Sequence, residues 1–226
     1  MQIVEVYEYD IIYLGDFMLK EYLEKDVKLN KKELASILCL TIVISGIVGW
    51  LYEFIFYFIN SGFKQFYMRG SNFLPWINIY AWGALLIILF TYKVRRKPLL
   101  VFLISAITTG ILEYFSGYIL YGKLGWTKCW DYNTEILNFG NINGYVCLRS
   151  VLLFGISALL LMYLILPLLI RLVKSKHSEI VFIVSIVLCS IFLIDELYNL
   201  VFSHLLGLSR ASRIYKSIGF KYLYFK

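Results

Sequence analysis

Charged residues are scarce in this sequence. Asp, Glu, Lys and Arg make up only 16% of its 226 residues, while 60% are hydrophobic and 18% are aromatic. A soluble domain is about 45–50% apolar, so this composition excludes an ordinary water-soluble protein and indicates one that faces lipid. The net charge of +7 does not predict nucleic-acid binding, because the basic residues cluster at the ends of apolar runs, where lipid headgroups attract them.

Metal-binding, nucleophilic and nucleotide-binding patterns are also missing. The histidines and cysteines lack the spacing of a zinc site, and the serines lack a nearby base, so no metal, cofactor or catalytic residue is predicted. Neither GxxxxGKS nor GxxxxGKT occurs, so an ATP-driven protein would need its ATPase on another chain. One cysteine pairing stays open: Cys129 and Cys147 flank a polar stretch at 128–145 and would form a disulfide if it faced an oxidising compartment.

Five apolar segments are long enough to cross a bilayer. About 20 apolar residues span the hydrocarbon core. Each such segment is expected to be a helix, because lipid offers no hydrogen-bond partners to the backbone. The segments cover about 35–60, 76–94, 98–121, 147–173 and 180–206. Pro98 suits the first turn of the third helix, and Pro167 predicts a bend in the fourth. The predicted fold class is therefore an all-α polytopic membrane protein, with five transmembrane helices in one domain at 35–206.

Two flanking segments and the orientation follow from charge. Residues 1–34 place apolar side chains at helical spacing between acids and lysines, which predicts an amphipathic helix on the membrane surface or a solvated helical extension. The tail 207–226 has bases and aromatic residues but no acids, so it is expected on anionic lipid. The short connections carry their bases mainly on one side, which predicts a multi-pass plasma-membrane protein with a cytoplasmic N-terminus. The stretch 128–145 would then face outside.

Two regions of the chain resemble one another. Each has a glutamate followed by an aromatic residue (Glu53 and Glu113), then a glycine- and aromatic-rich connection with a charge (Arg69 and Asp131), then an Ile-Asn entry to the next helix. This likeness predicts a duplicated two-helix unit, in which Arg69 and Asp131 would meet near a pseudo-twofold axis along the membrane normal. Chance likeness between aromatic-rich membrane segments is the alternative.

Ionisable residues inside the apolar runs are the strongest functional signal. Each costs about 2.5–3.5 kcal/mol near the bilayer centre on insertion scales, so it must face inward and find a partner. Most fall at one end of the predicted bundle, which predicts a buried ion-pair network under the outer surface, covered by an aromatic lid. The nine residues predicted to bind substrate or ions are Glu53, Arg69, Glu113, Trp130, Asp131, Tyr132, Arg149, Asp195 and Glu196. A purely architectural role for these ion pairs, which fix helix register, stays open.

Several short segments resemble the ABC-transporter permease family of CmpB type, over about residues 35–170. They are Gly49-Trp50-Leu51-Tyr52-Glu53, Arg69-Gly70, Pro75, Ile79-Tyr80, Gly83, Glu113-Tyr114, Trp130-Asp131-Tyr132, Asn138, Gly140 and Cys147-Leu148. The Trp-Asp-Tyr block is the most specific of them. Asn78 and Ala81 depart from the Pro and Gly that this family usually carries after its Arg-Gly pair. The resemblance implies a multi-spanning bacterial membrane protein and a permease role.

Three functions fit these observations. The first is a transporter permease component with a polar site near the outer leaflet, in contact with the lipid bilayer and a separate ATPase subunit. A homodimer is expected, because five spans are few for a monomeric pore. The second is a membrane-embedded enzyme acting on lipid or peptide, with Glu53 or Glu113 as general base. The third is an accessory or sensor protein in which the charge network is structural.

Overall fold

A computed structural model describes residues 19–20, 22–126 and 128–222, and this part of the protein contains helices and no β-strand. Its α-helices are α1 (Lys31–Asn60), α2 (Asn78–Thr91), α3 (Pro98–Gly117), α4 (Leu148–Leu160), α5 (Leu166–Val173), α6 (Ser178–Glu196), α7 (Ser203–Leu205) and α8 (Ala211–Ser217). Three π-helical segments extend or join them: Tyr118–Lys123 after α3, Leu161–Ile165 between α4 and α5, and Leu197–Phe202 between α6 and α7. The predicted all-α fold is confirmed for the described residues.

Four continuous helices are long and apolar enough to cross a membrane: Lys31–Asn60, Pro98–Lys123, Leu148–Val173 and Ser178–Leu205. The predicted second span corresponds to a shorter apolar helix, Asn78–Val94. The count of five transmembrane helices therefore stays a prediction, and so does the duplicated two-helix unit. Pro167 lies in the first turn of α5, two residues after the π-helical segment Leu161–Ile165. The wider winding of that segment accommodates a ring that would clash with an α-helical carbonyl.

The connection 61–77 explains why α2 is short, because this connection enters the bundle. The backbone N–H of Ile77 donates to the carbonyl of Gly46 at 3.0 Å, and Gly46 lies near the middle of α1. A Cβ on Gly46 would lie 3.1 Å from the Cβ of Trp76, so glycine permits this close approach. The helix α2 therefore begins beside the middle of α1 rather than at its end.

Two apolar clusters hold the helices around this connection. One joins α1, α2, α4 and α5 through buried side chains that include Leu40, Ile87 and Leu166. The other packs Val43 of α1 against Trp76 and Phe192, with the two rings 5.2 Å apart. The second cluster holds the end of the connection 61–77 in place between the helices α1 and α6.

Arginine side chains hold the described end of the N-terminal segment. The buried guanidinium of Arg95 donates to the carbonyl oxygens of Tyr22 and Lys25, each at 3.0 Å. It also forms an ion pair with Asp26 at 2.9 Å. Residues 1–18 and 21 of the predicted amphipathic segment lie outside the described residues, so that helix stays a prediction.

The described part of the tail, 207–222, folds back onto the connection 61–77. The Tyr215 hydroxyl donates to the carbonyl of Phe73 at 2.9 Å, and the N–H of Met68 donates to the carbonyl of Lys221 at 2.9 Å. The tail therefore contacts a protein surface in addition to the lipid that its composition predicts.

Candidate functional site

A small cavity, here called the chamber, lies between the helices α1 to α4 and the connections 61–77 and 124–147. Its volume is about 30 Å³, enough for one or two groups the size of a water molecule. Six predicted site residues line it: Glu53, Arg69, Glu113, Trp130, Tyr132 and Arg149. The remaining lining residues are Tyr52, Phe56, Tyr57, Tyr80, Glu135, Ser150, Leu153 and Phe154.

The first ion pair of the chamber joins α1 to the connection 61–77. Nε of Arg69 lies 2.7 Å from Oε2 of Glu53, Nη2 donates to the carbonyl of Cys129 at 2.7 Å, and the guanidinium lies over the ring of Tyr57. Burial by itself lowers the pKa of Arg69, but the Glu53 carboxylate raises that pKa to above its usual value. Arg69 is therefore a fixed positive charge.

The second ion pair contains a residue that the sequence analysis missed. Nη2 of Arg149 lies 2.6 Å from Oε2 of Glu135, and Nη1 donates to the carbonyl of Ile136 at 3.0 Å. The guanidinium also lies 4.6 Å from the ring centre of Phe56. Glu135 lies in the polar stretch 128–145, four residues after Asp131. That position is the one sequence feature that could have marked it as a partner for an arginine.

Glu113 is bound by hydroxyl groups rather than by an arginine. Its two carboxylate oxygens contact the Tyr132 hydroxyl at 2.5 Å and the Ser150 hydroxyl at 2.6 Å. Burial and the nearby Glu113 carboxylate raise the pKa of Tyr132 well above its usual value, so the phenol keeps its proton. The Ser150 hydroxyl also lies 2.8 Å from the carbonyl of Cys147. A hydroxyl has only one proton to donate. If Ser150 donates its proton to the Cys147 carbonyl, the contact between Ser150 and Glu113 needs a proton on the Glu113 carboxyl group.

Asp131 differs from its predicted role. Its Oδ2 accepts from Nζ of Lys128 at 2.6 Å, and its Oδ1 accepts from the N–H of Asn133 at 3.1 Å. It therefore organises the connection 124–147, and the ion-pair position expected for it beside the arginines is taken by Glu135. The reason is local: a lysine three residues earlier reaches the carboxylate without any long-range contact.

Turns in the connection 124–147 bring Trp130, Tyr132 and Glu135 to the chamber. The N–H of Tyr132 donates to the carbonyl of Gly144 at 3.1 Å, and Gly144 has a φ of +76°. A Cβ on Gly144 would lie 2.5 Å from Oδ1 of Asp131, so only glycine fits. Asparagines satisfy this bent backbone, as predicted: the side chain of Asn138 donates to the carbonyl of Tyr132 at 2.8 Å.

The Cys129–Cys147 disulfide that the sequence left open is not formed. All four cysteines lie within the described residues and are free. The N–H of Cys129 donates to the hydroxyl of Tyr121 at 3.1 Å, and buried Cys147 precedes α4 as its N-cap residue.

Asp195 and Glu196 form a separate cluster that does not line the chamber. The Asp195 carboxylate accepts from the backbone N–H groups of Phe73 and Leu74 at 2.9 and 3.0 Å. It also accepts from the indole of Trp76 at 3.0 Å. The Glu196 carboxylate accepts from the side-chain amides of Asn72 and Asn78 at 2.7 and 2.9 Å. Non-helical backbone inside a membrane protein must be satisfied by protein groups, and Asp195 does so for Phe73 and Leu74 in the connection 61–77. Glu196 instead binds the side chains of Asn72 and Asn78 on either side of Trp76.

A second polar cavity, here called the vestibule, lies beyond the first ion pair. Its volume is about 70 Å³, and it shares Glu53, Arg69 and Trp130 with the chamber. Its far end is lined by His204 and Arg210, which contact each other, and the His204 ring stacks on Trp126 at 3.7 Å. Glu53, Arg69 and Trp130 therefore line both cavities, and the Glu53–Arg69 ion pair lies where the two cavities adjoin.

Comparison with known proteins gives a family. No curated protein and no solved structure matches the chain. A family model described as "Putative ABC-transporter type IV" matches residues 40–200, which is more than half of the chain. The matched region contains both ion pairs, the Trp-Asp-Tyr block and the Asp195–Glu196 cluster. The chain therefore belongs to this family of putative ABC transporters, whose CmpB-type pattern its sequence resembles.

Proposed function

We propose that the chain is the membrane-spanning permease subunit of an ABC-type transporter, driven by an ATPase on a separate chain. Family membership supports the class. The lack of a phosphate-binding GxxxxGKS or GxxxxGKT segment in the given sequence supports a separate ATPase. Ionisable groups buried within a membrane protein mark substrate or ion pathways by default, and five ionisable groups line the chamber: Glu53, Arg69, Glu113, Glu135 and Arg149.

The observation that carries this proposal is the ion pair that lines both the chamber and the vestibule. Two polar cavities meet at one ion pair, Glu53–Arg69, whose members come from α1 and from the connection 61–77. A small movement of that connection would separate the two charges and join the cavities. Discontinuous helices that begin inside a bundle are typical of transporter binding sites, and α2 begins in this way beside Gly46.

The orientation in the membrane and the oligomeric state complete this proposed function. We place the protein in the plasma membrane with the N-terminus in the cytoplasm, since the basic cluster 93–97 would then lie inside. The chamber would then lie near the outer leaflet. We also propose a homodimer, because a single chain has few helices to enclose a pathway.

Purification of the tagged full-length protein in a mild detergent tests the ATPase partner. We expect a second chain with a P-loop to co-purify and the complex to hydrolyse ATP. The readouts are mass spectrometry of the co-purified chains and phosphate release that vanadate inhibits. The matched control is a tagged membrane protein of another family, expressed at the same level. Isolation of the protein without an ATPase under all mild conditions would contradict the proposal.

Glu113→Gln tests whether the chamber is functional or architectural. Glutamine keeps an oxygen for Tyr132 and adds donors for Ser150, so we expect the unfolding free energy to change by less than about 1 kcal/mol. Glutamine cannot ionise or carry a proton, so the ATPase rate of the complex should fall about tenfold or more, the value of a hydrogen bond to an ionised group. Glu179→Gln is the control, because this side chain is 70% exposed. Loss of the folded protein in Glu113→Gln would favour the architectural role.

A further inference from the structure

One atom in the chamber needs a hydrogen-bond donor. Oε2 of Glu135 binds Arg149 at 2.6 Å. Oε1 is buried and no described donor meets hydrogen-bond geometry with it, although the Tyr57 hydroxyl lies close enough to interact with this carboxylate. Glu135 is only 8% exposed, so bulk water does not reach it freely. Buried acceptors are nearly always paired, and this oxygen therefore suits a ligand that brings its own N–H or O–H group.

The charge and walls of the chamber favour a cationic donor. Three carboxylates and two guanidinium groups line it, which gives a formal charge of −1 when all are ionised. The rings of Tyr52, Tyr80 and Trp130 also face it, and aromatic faces attract ammonium groups. A volume of about 30 Å³ fits a primary ammonium, which is the size of a water molecule, but not a trimethylammonium.

An apolar groove with exposed apolar side chains at its rim adjoins the chamber. It has a volume of about 280 Å³, runs between α1 and α4 over α2, and shares Tyr52, Tyr80, Leu153 and Phe154 with the chamber. Its rim residues Val48, Ile156 and Leu160 are 52%, 54% and 55% exposed. It extends along α4 from Leu153 towards Ile165, away from the connection 124–147, which is the direction expected for an acyl chain whose head group lies in the chamber.

The opposite approach is unfavourable for a free cation. The surface cavity next to the vestibule is lined by Arg210, Arg213, Lys216 and His204 and by no acidic residue of the described part. A water-soluble amine arriving there would meet positive charge. An ammonium attached to an acyl chain would instead reach the chamber from the lipid side, through the groove.

We infer that the chamber and the groove together bind an amphiphile with a primary ammonium head group, such as an alkylammonium or an ethanolamine phospholipid. The ammonium lies in the chamber and donates to Oε1 of Glu135, near Glu113, and the apolar chain lies in the groove. Its status as the transported substrate rests on the proposed function. The binding itself does not, because it is measured on the membrane protein without an ATPase.

Probe binding to the purified full-length chain in maltoside detergent tests this inference. We expect lysophosphatidylethanolamine and dodecylammonium to bind, and lysophosphatidylcholine, lysophosphatidylglycerol and methylammonium to bind at least about tenfold more weakly. Binding of both expected probes would mean that the ammonium suffices. Binding of lysophosphatidylethanolamine alone would assign the site to an ammonium phospholipid. Equal binding of lysophosphatidylglycerol, or of methylammonium, would overturn the inference.

Two variants locate the probe. Glu135→Gln should weaken lysophosphatidylethanolamine binding about tenfold, and Ser157→Phe should do the same by filling the groove. The controls are Glu179→Gln and Ile107→Phe, since these side chains are 70% and 61% exposed and lie outside both cavities. Unchanged affinity in both folded site variants would overturn the inference. Co-purification of an ATPase is a separate result, so each proposal can fail without the other.

Discussion

Asp195→Ala is expected to unfold the protein or to lower its unfolding free energy by several kcal/mol. The carboxylate accepts hydrogen bonds from Phe73, Leu74 and Trp76 in the connection 61–77, and from Asn199 on its own helix. A buried donor left without an acceptor costs about 1–3 kcal/mol, and alanine would leave several at once. Since a whole domain has only about 5–15 kcal/mol of stability, the loss would be close to the total.

Thermal unfolding of the purified protein in detergent, followed by size-exclusion chromatography, measures this effect. Asp195→Asn should be intermediate, because it retains one acceptor oxygen and the shape of the side chain. Ile194→Ala is the matched control, since this neighbouring side chain is 67% exposed, and it should change the unfolding free energy by less than about 1 kcal/mol. Hydrogen exchange should show the loss of protection first at Phe73 and Leu74. An Asp195→Ala protein as stable as Ile194→Ala would refute this account of the connection.

Glu53→Ala is expected to have the second-largest effect. The Arg69 side chain is 4% exposed, so removing its carboxylate partner takes away the opposite charge and leaves the buried guanidinium with only its neutral contacts, such as the Cys129 carbonyl and the Tyr57 ring. Breaking a buried ion pair in this way costs about 3–5 kcal/mol. The effect should be nearly independent of salt, because ions do not screen a buried pair well.

The exposed pair Lys32–Glu179 supplies the comparison. Its side chains are 58% and 70% exposed, so Lys32→Ala should cost about 0–1 kcal/mol and less at high salt. The double variant Glu53→Gln with Arg69→Met should recover part of the stability lost in Glu53→Ala, because it removes the charge that had lost its partner. Thermal unfolding at low and high salt measures all three variants. Equal costs for Glu53→Ala and Lys32→Ala would contradict the assignment of Glu53–Arg69 as a buried pair.

The convergence of Glu53, Glu113, Arg69 and Arg149 on one cavity was predictable from the sequence. Each lies at the same end of the predicted helix bundle, either within an apolar run or in a connection next to one. Each is too costly to expose to lipid. Their exact partners were less predictable. Glu113 was expected to meet an arginine, but the hydroxyl groups of Tyr132 and Ser150 reach it instead.

The pairing of Arg149 with Glu135 depends on backbone turns. Gly140 and Gly144, at φ values of +65° and +76°, and Leu137, at +54°, reverse the chain within the connection 124–147. Composition indicates that such a stretch turns, but not which carboxylate the turns bring to α4. A local rule did apply to Asp131, whose partner Lys128 lies three residues away.

The residue at which α2 begins could not be predicted from the sequence, for a different reason. The apolar run at 76–94 predicts a full span, and the helix occupies Asn78–Val94. Trp76 and Ile77 precede it inside the bundle because Asp195 and Gly46, which are distant in sequence, supply hydrogen-bond acceptors there. Hydrophobic periodicity within one segment contains no information about acceptors on another helix.

The sequence by itself determined that this protein is helical, belongs in a membrane and must bury its few charges together, because lipid satisfies neither backbone groups nor ions. Only the tertiary structure decided which charges meet, that Asp195 and Glu196 hold the connection 61–77 inside the bundle, and that an apolar groove opens beside the chamber. Those outcomes depend on contacts of a few ångströms between segments far apart in the chain, and such contacts are set by how the helices pack.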